Sequence, residues 1–198
     1  MRSLFRDLAR VLLASTCVLP GFAQDAHDDR DDCRINWHSS SDFAWQVQVN
    51  TPVTALGRAL DERTGLGLGM QWTRNRANGV SNRTRLEWNV FPEGNPVGAA
   101  GTTTKASNYV LSFDRLYHFS GEAKGVYLLG GLGAVRWFTD QTPALNPTVS
   151  THTTKLAVTG GAGYRFNRGV AAEARYVVSS VDRTYDGNVV QLVSSMRF

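Results

Sequence analysis

From Asp42 onward, apolar and polar residues alternate with a period of two, which is typical of β-strands with two different faces. The alternation predicts eight strands, at residues 43–50, 65–74, 83–91, 107–117, 125–138, 154–166, 170–179 and 190–198. The last strand places Val190, Leu192, Met196 and Phe198 on its apolar side. In the fifth strand both faces are apolar or glycine, and we assign Val126, Leu128, Leu132 and Ala134 to the outer face.

The connections between these strands alternate in length. Long gaps at 51–63, 92–106 and 139–153 follow the odd-numbered strands, and short gaps at 75–82, 118–124 and 167–169 follow the even-numbered ones. The seventh connection, 181–187, is shorter than the other long ones. Bacterial membrane barrels have short turns on the periplasmic side and longer loops outside. We therefore expect an all-β, eight-stranded antiparallel transmembrane up-and-down barrel, with one helical turn at 55–60.

The polar face of the predicted sheet carries charges of both signs. Its members are Arg83, Arg85, Glu87, Asp114, Arg165, Glu173, Arg175 and Arg197. Long side chains beside glycines fit the narrow interior of an eight-stranded barrel. Since a buried charge without a partner is costly, we expect Arg83, Arg85 and Arg175 to donate to Glu87, Glu173 and Asp114. Such a network acts either as a structural plug or as a gate for ions or small solutes.

The apolar face is predicted to contact lipid. It carries seven aromatic residues, several near strand ends where interface girdles occur: Trp45, Trp72, Trp88, Tyr164, Phe166, Tyr176 and Phe198. A closed sheet also satisfies every backbone hydrogen bond in hydrocarbon. Arg115 conflicts with this pattern because it falls on the lipid face of the fourth strand. Either its side chain reaches the interface or a bulge shifts the register.

The first residues are typical of an export signal. Arg2, Arg6 and Arg10 precede a short apolar run at 11–19, and Ala23 offers a small residue at the cleavage site. We expect a signal peptide at 1–23, a flexible acidic periplasmic lead-in at 24–41 and the barrel at 42–198. Cys33 would be the one cysteine left after cleavage, so no internal disulfide is expected. Removal of residues 1–23 takes three Arg and one Asp from the 21 basic and 17 acidic residues, so the net charge falls to 18 − 16 = +2, which is too small to indicate nucleic-acid binding.

The segments GVYLLGGLGAVRWF (125–138) and GGAGYRFNRGVAAEARY (160–176), with Phe198 at the end, resemble the small OmpA/OmpX-type eight-stranded outer-membrane barrels. The resemblance implies an integral outer-membrane protein without enzymatic activity, which has a structural or surface-interaction role. It also implies contact with lipid and lipopolysaccharide, and assembly by the barrel-assembly machinery through the C-terminal strand. Loops 92–106 and 139–153 are the predicted sites for an extracellular ligand. We expect no wall-binding domain after Phe198, unlike in larger relatives.

A channel and a lipid A-modifying hydrolase are the two alternatives. The hydrolase would use His118 and Ser120 with Glu122, but the chain has Gly121 where such enzymes have Asn. His152 lies near Ser150 without a suitable carboxylate neighbourhood. A possible metal cluster in the lead-in consists of His27, Asp28, Asp29, Asp31, Asp32, Cys33 and His38. Its spacing matches no rigid ligand motif, so we predict neither a metal nor a cofactor.

Overall fold

The computed structural model describes residues 41–75, 79–96, 101–120, 125–166, 169–181 and 186–197. The strands are β1 Ser41–Pro52, β2 Gly65–Asn75, β3 Val80–Gly94, β4 Thr103–His118, β5 Gly125–Thr142, β6 Val149–Arg165, β7 Val170–Ser179 and β8 Val189–Arg197. A six-residue helix, α1 Thr54–Ala59, lies in the predicted position between β1 and β2. Within these ranges, no helix is long and apolar enough to span a membrane.

The eight strands form one closed antiparallel barrel. Each strand pairs with the next in the sequence, and β8 pairs with β1 to complete the cylinder. In that last pair, Trp45 lies opposite Met196 and Val49 lies opposite Leu192. The prediction of an eight-stranded up-and-down barrel is confirmed.

Burial alternates along the strands as the sequence pattern predicts. In β2, Leu66, Leu68 and Trp72 are exposed on the outer face while the residues between them point inward. In β5, Val126 and Leu128 face outward. The outer face assigned to this ambiguous strand is therefore right.

Arg115 faces outward in an unbroken stretch of sheet. It pairs with Asn82 of β3 and with Gly130 of β5, and the register is continuous on both sides of these pairs. The irregularity between β3 and β4 lies at Phe91 and Gly94 instead. A bulge at Arg115 is therefore the wrong alternative, and the side chain belongs to the outer surface.

The barrel has two different ends. We call the end with the start of β1, the end of β8 and the short connections the turn end, and the opposite one the loop end. The strands β3 to β6 are 15 to 18 residues long, whereas the other four have 9 to 12. Much of 92–106 and 139–153, predicted as loop, is therefore strand. Polar residues on both faces hide the alternation there, because no apolar solvent selects one face.

Several predicted features lie outside the described residues. These are the signal peptide at 1–23, the lead-in up to residue 40, and the residues Glu122 and Phe198. The lead-in contains the possible metal ligands His27, Asp28, Asp29, Asp31, Asp32, Cys33 and His38. In the part of the chain that is described, no group of three or more His, Cys, Asp or Glu side chains is arranged to hold a metal.

Candidate functional site

The middle of the lumen holds six charged side chains that contact one another. We call them the charge cluster: Arg83, Arg85, Glu87, Asp114, Glu173 and Arg175. The strand β3 supplies three of them at alternate positions, β4 supplies Asp114 and β7 supplies the last two. Each is at most 5% exposed. The strict period of two in these strands places all six inside the barrel.

Arg83 joins two sides of the lumen. Its Nε and Nη2 donate to Oδ2 of Asp114, on the neighbouring strand β4, at 3.0 and 2.9 Å. Its Nη2 also donates to Glu173 Oε2 at 3.1 Å, on β7. The guanidinium therefore links β3, β4 and β7 through charge-assisted hydrogen bonds, which are stronger than neutral ones.

Glu87 is the second centre of the charge cluster. It accepts hydrogen bonds from Arg175 Nη1 at 2.7 Å and from Gln46 Nε2 at 2.8 Å, and it forms an ion pair with Arg85. Arg85 Nη2 in turn donates to Asp114 at 3.1 Å. Glu87 therefore connects β3 to β7 and to β1 across the interior.

The charge cluster is electrically balanced, with three guanidinium groups and three carboxylates. A buried ion that lacks its partner is strongly destabilising, whereas well-coordinated ions offset each other's desolvation. The arrangement therefore fills the lumen with side chains that hold one another in place.

An amide ladder continues from the charge cluster towards the loop end. Asn50 Nδ2 donates to Asn89 Oδ1 at 2.8 Å, and Asn89 Nδ2 donates to Asn108 Oδ1 at 2.8 Å. The sequence places these residues on the polar face but does not single them out. They lie on β1, β3 and β4, and the inward positions of β2 between β1 and β3 are glycines at this level. Inward amides that face each other across glycines are the signal that could have identified them.

The remaining two predicted charges lie nearer the turn end. The guanidinium of Arg165 lies 6.0 Å from the ring centre of Tyr127, and Arg197 forms an ion pair with Asp42. The Tyr127 hydroxyl donates to Glu173 Oε1 at 2.6 Å, which connects this region to the charge cluster. The structure thus brings six of the eight predicted charges into direct contact and places two beside them.

The loop end of the lumen is filled by apolar side chains. Leu56 and Leu60, from α1 and its C-cap, belong to a buried cluster with Phe91 and Trp137. The rings of Phe91 and Trp137 stack with their centres 6.0 Å apart. We call these four residues the apolar plug. The prediction of a polar interior misses the apolar plug, although the inward Trp137 in a strand with two apolar faces was a signal for it.

The hydrolase arrangement is not formed at His118 and Ser120. His118 is 2% exposed and points into the lumen, with its ring centre 4.9 Å from that of Tyr127. Within the described ranges neither of its ring nitrogens has a hydrogen-bond partner, and Ser120 lies in the exposed turn. His152 is exposed, and its ring packs 5.0 Å from that of Phe138. No nucleophile–base pair links His118 to Ser120.

The outer surface of the barrel is apolar. Trp45, Trp72, Trp88, Tyr164, Phe166 and Tyr176 are between 42% and 62% exposed on it. Leucine, valine and methionine side chains fill the positions between them, for example Leu66 and Leu192. A patch of this extent far exceeds what a water-soluble monomer exposes, and it matches a lipid-facing barrel wall.

No protein-family model matches the sequence, and no curated protein matches it. Solved structures do match. The crystal structure of Ail, the attachment invasion locus protein of Yersinia pestis, is 14% identical and has a TM-score of 0.56, with 80% of this chain and 97% of that chain covered. Neisserial surface protein A is 13% identical, with a TM-score of 0.55 and coverage of 79% and 97%.

A third structure is the Yersinia pestis outer membrane protein Ail in a phospholipid bilayer nanodisc, at 14% identity and a TM-score of 0.51, with 80% of this chain and 100% of that chain covered. At these identities the likeness concerns the fold. The chain thus has the fold of the small eight-stranded outer-membrane barrels, and the resemblance to the OmpA/OmpX type is confirmed.

Proposed function

We propose that the protein is a non-enzymatic integral outer-membrane barrel, which has a structural role in the envelope and presents a surface for interaction at its loop end. The observation that carries this proposal is the closed sheet with an apolar outer wall and a filled interior. An apolar wall of this size requires lipid. Side chains that fill the lumen and pair with one another support a structural role for the charge cluster.

The filled lumen argues against the channel alternative. A solute would have to pass both the charge cluster and the apolar plug, and neither Leu60 nor Trp137 is more than 1% exposed. We expect no reproducible single-channel openings from the refolded protein in planar bilayers. Steady openings that Glu87→Gln abolishes would refute the structural role and favour a gate.

The same proposal includes how the protein is exported and assembled. The signal peptide is cleaved after Ala23, and the barrel-assembly machinery recognises the last strand through Val190, Leu192, Met196 and Phe198. The first three of these residues are exposed on the outer wall, at 38%, 60% and 58%. β8 also closes the sheet against β1.

The loop end supports the interaction role. A transmembrane strand needs about 9–11 residues, so β3 to β6 extend well beyond the lipid. On β3, Glu93 lies on the loop-end side of the outward apolar residues. It accepts a hydrogen bond from Lys105 at 2.9 Å, and this bond lowers the pKa of the Glu93 carboxyl. Leu145, at the tip between β5 and β6, is 96% exposed. We propose that 92–106 and 139–153 contact an extracellular ligand and that the wall below them contacts lipopolysaccharide.

Cysteine labelling in intact cells tests location and orientation together. In a Cys33→Ser background, Leu145→Cys should react with a membrane-impermeant maleimide in intact cells. Ser120→Cys, exposed at the turn end, is the matched control and should react only after the outer membrane is permeabilised. The reverse pattern would refute the orientation. A protein whose gel mobility in the membrane fraction is unchanged by boiling would refute the barrel in the membrane.

A further inference from the structure

The outer wall carries a cationic patch near the turn end, on β2, β3 and β4. Arg74 pairs with Asn82, and Asn82 pairs with Arg115, so the three residues form one outward-facing row across three strands. Neighbouring strands are about 4.8 Å apart, which puts the two arginine backbones about 10 Å from each other. Both arginines are exposed, and Asn82 is half-buried. We call this row the outer arginine patch.

The two arginines are not neutralised by the protein within the described ranges. None of the ion pairs there includes Arg74 or Arg115. The nearby carboxylates have other partners, since Asp114 belongs to the charge cluster inside the barrel and Asp42 pairs with Arg197. The outer arginine patch is thus a concentrated positive charge on a mostly apolar wall.

Its neighbours place the patch among the exposed aromatic residues near the turn end of the apolar wall. Trp72, two positions before Arg74, is 62% exposed, and Tyr117, two positions after Arg115, is 54% exposed. Aromatic residues of this kind mark the membrane–water interface of barrels. Gly130, paired with Arg115, has open space where a side chain would be. The Arg115 side chain can therefore extend along the wall to the level of lipid headgroups.

We propose that the outer arginine patch binds the phosphate of an anionic phospholipid in the leaflet at the turn end. Guanidinium groups present paired donors that match phosphate oxygens, and the Asn82 amide between them adds a further donor. The adjoining apolar wall accommodates the acyl chains of the same molecule. This proposal rests on the proposed function, because the turn end faces a phospholipid leaflet only if the barrel lies in the outer membrane with its loops outside.

The experiment measures lipid retained by the folded protein. The wild type and variants are reconstituted with equal amounts of phosphatidylglycerol and phosphatidylethanolamine, and bound lipid is counted by native mass spectrometry. A basic residue near a membrane surface contributes about 1 kcal/mol, or about a fivefold change in binding. Arg74→Gln or Arg115→Gln should each reduce phosphatidylglycerol retention about fivefold, and the double variant should abolish the preference.

Arg136→Gln is the matched control. Arg136 is also an exposed arginine on the outer wall, but it lies towards the loop end, 5.4 Å from the ring centre of Phe138. We expect it to leave phosphatidylglycerol retention unchanged. Equal losses in the control and the double variant would overturn the site, and so would a wild type that prefers neither lipid.

Each sample is also tested for a heat-dependent shift in gel mobility, to separate this proposal from the proposed function. Folded variants that retain phosphatidylglycerol as the wild type does would overturn the lipid site alone. A wild type that does not fold in lipid would refute the proposed function and, with it, the site.

Discussion

Replacing Glu87 by Gln should strongly destabilise the folded barrel. The carboxylate accepts hydrogen bonds from Gln46 at 2.8 Å and from Arg175 at 2.7 Å, and it forms an ion pair with Arg85. The amide of Gln keeps the shape of the side chain but removes its charge. Three buried guanidinium groups would then face two carboxylates.

The magnitude follows from the burial of the site. Glu87 is 1% exposed and its arginine partners are equally enclosed, so water cannot screen the charge that is left. Removing one partner of a buried ion pair typically costs about 3–5 kcal/mol. A loss of this size would be a large share of the free energy of unfolding of a domain of this size.

Urea-induced unfolding in lipid vesicles, followed by tryptophan fluorescence, measures this change. The matched control is Glu93→Gln in the same strand, because Glu93 makes one exposed ion pair with Lys105. An exposed pair contributes little, so the control should unfold at nearly the wild-type urea concentration. If Glu87→Gln and Glu93→Gln have the same small effect, the view that the charge cluster stabilises the barrel is wrong.

Three further substitutions test the packing of the interior. Gly131→Ala should lower the free energy of unfolding by about 1–3 kcal/mol, because the new methyl group would overlap the backbone of β4, while Gly130→Ala on the open outer face should be tolerated. Tyr127→Phe should cost about 1.5–3 kcal/mol through loss of its 2.6 Å hydrogen bond to a carboxylate, and the outward Tyr176→Phe serves as its control. Leu60→Ala, at a fully buried position of the apolar plug, should cost about 2–5 kcal/mol. The same urea titration measures all of them. An outward control substitution that destabilises the barrel as much as the matching inward one would contradict the assignment of these residues to the two faces.

The faces of the strands could be predicted from the sequence because their side chains alternate with a period of two. That rule places Arg83, Arg85 and Glu87 inside without any knowledge of their partners. It cannot say which arginine meets which carboxylate across the lumen. That choice depends on strand tilt and stagger, which bring Arg83 of β3 beside Glu173 of β7.

The loop end was harder to predict for a different reason. Above the lipid, both faces of a strand contact water or other protein. The alternation of apolar and polar residues that marks Leu66 or Trp72 is therefore lost where inward Thr104 is followed by outward Lys105. The sequence does not predict the apolar plug, because Leu56 and Phe91 join one buried cluster only through the placement of α1 between β1 and β2 in the fold. Such contacts leave no periodic trace in the chain.

The division of the charge cluster between strands has a consequence for how the barrel enters the membrane. β3 and β4 together contribute two arginines and two carboxylates, and β7 contributes one of each. The members of the charge cluster on β3 and β4 therefore cancel one another, and so do those on β7. A partly assembled sheet need not carry net charge from this cluster into hydrocarbon. The bonds from Arg83 to Glu173 and from Arg175 to Glu87 join residues 90 and 88 positions apart. They form only when β3 and β7 face each other across the lumen, so they favour the completed cylinder over its open intermediates.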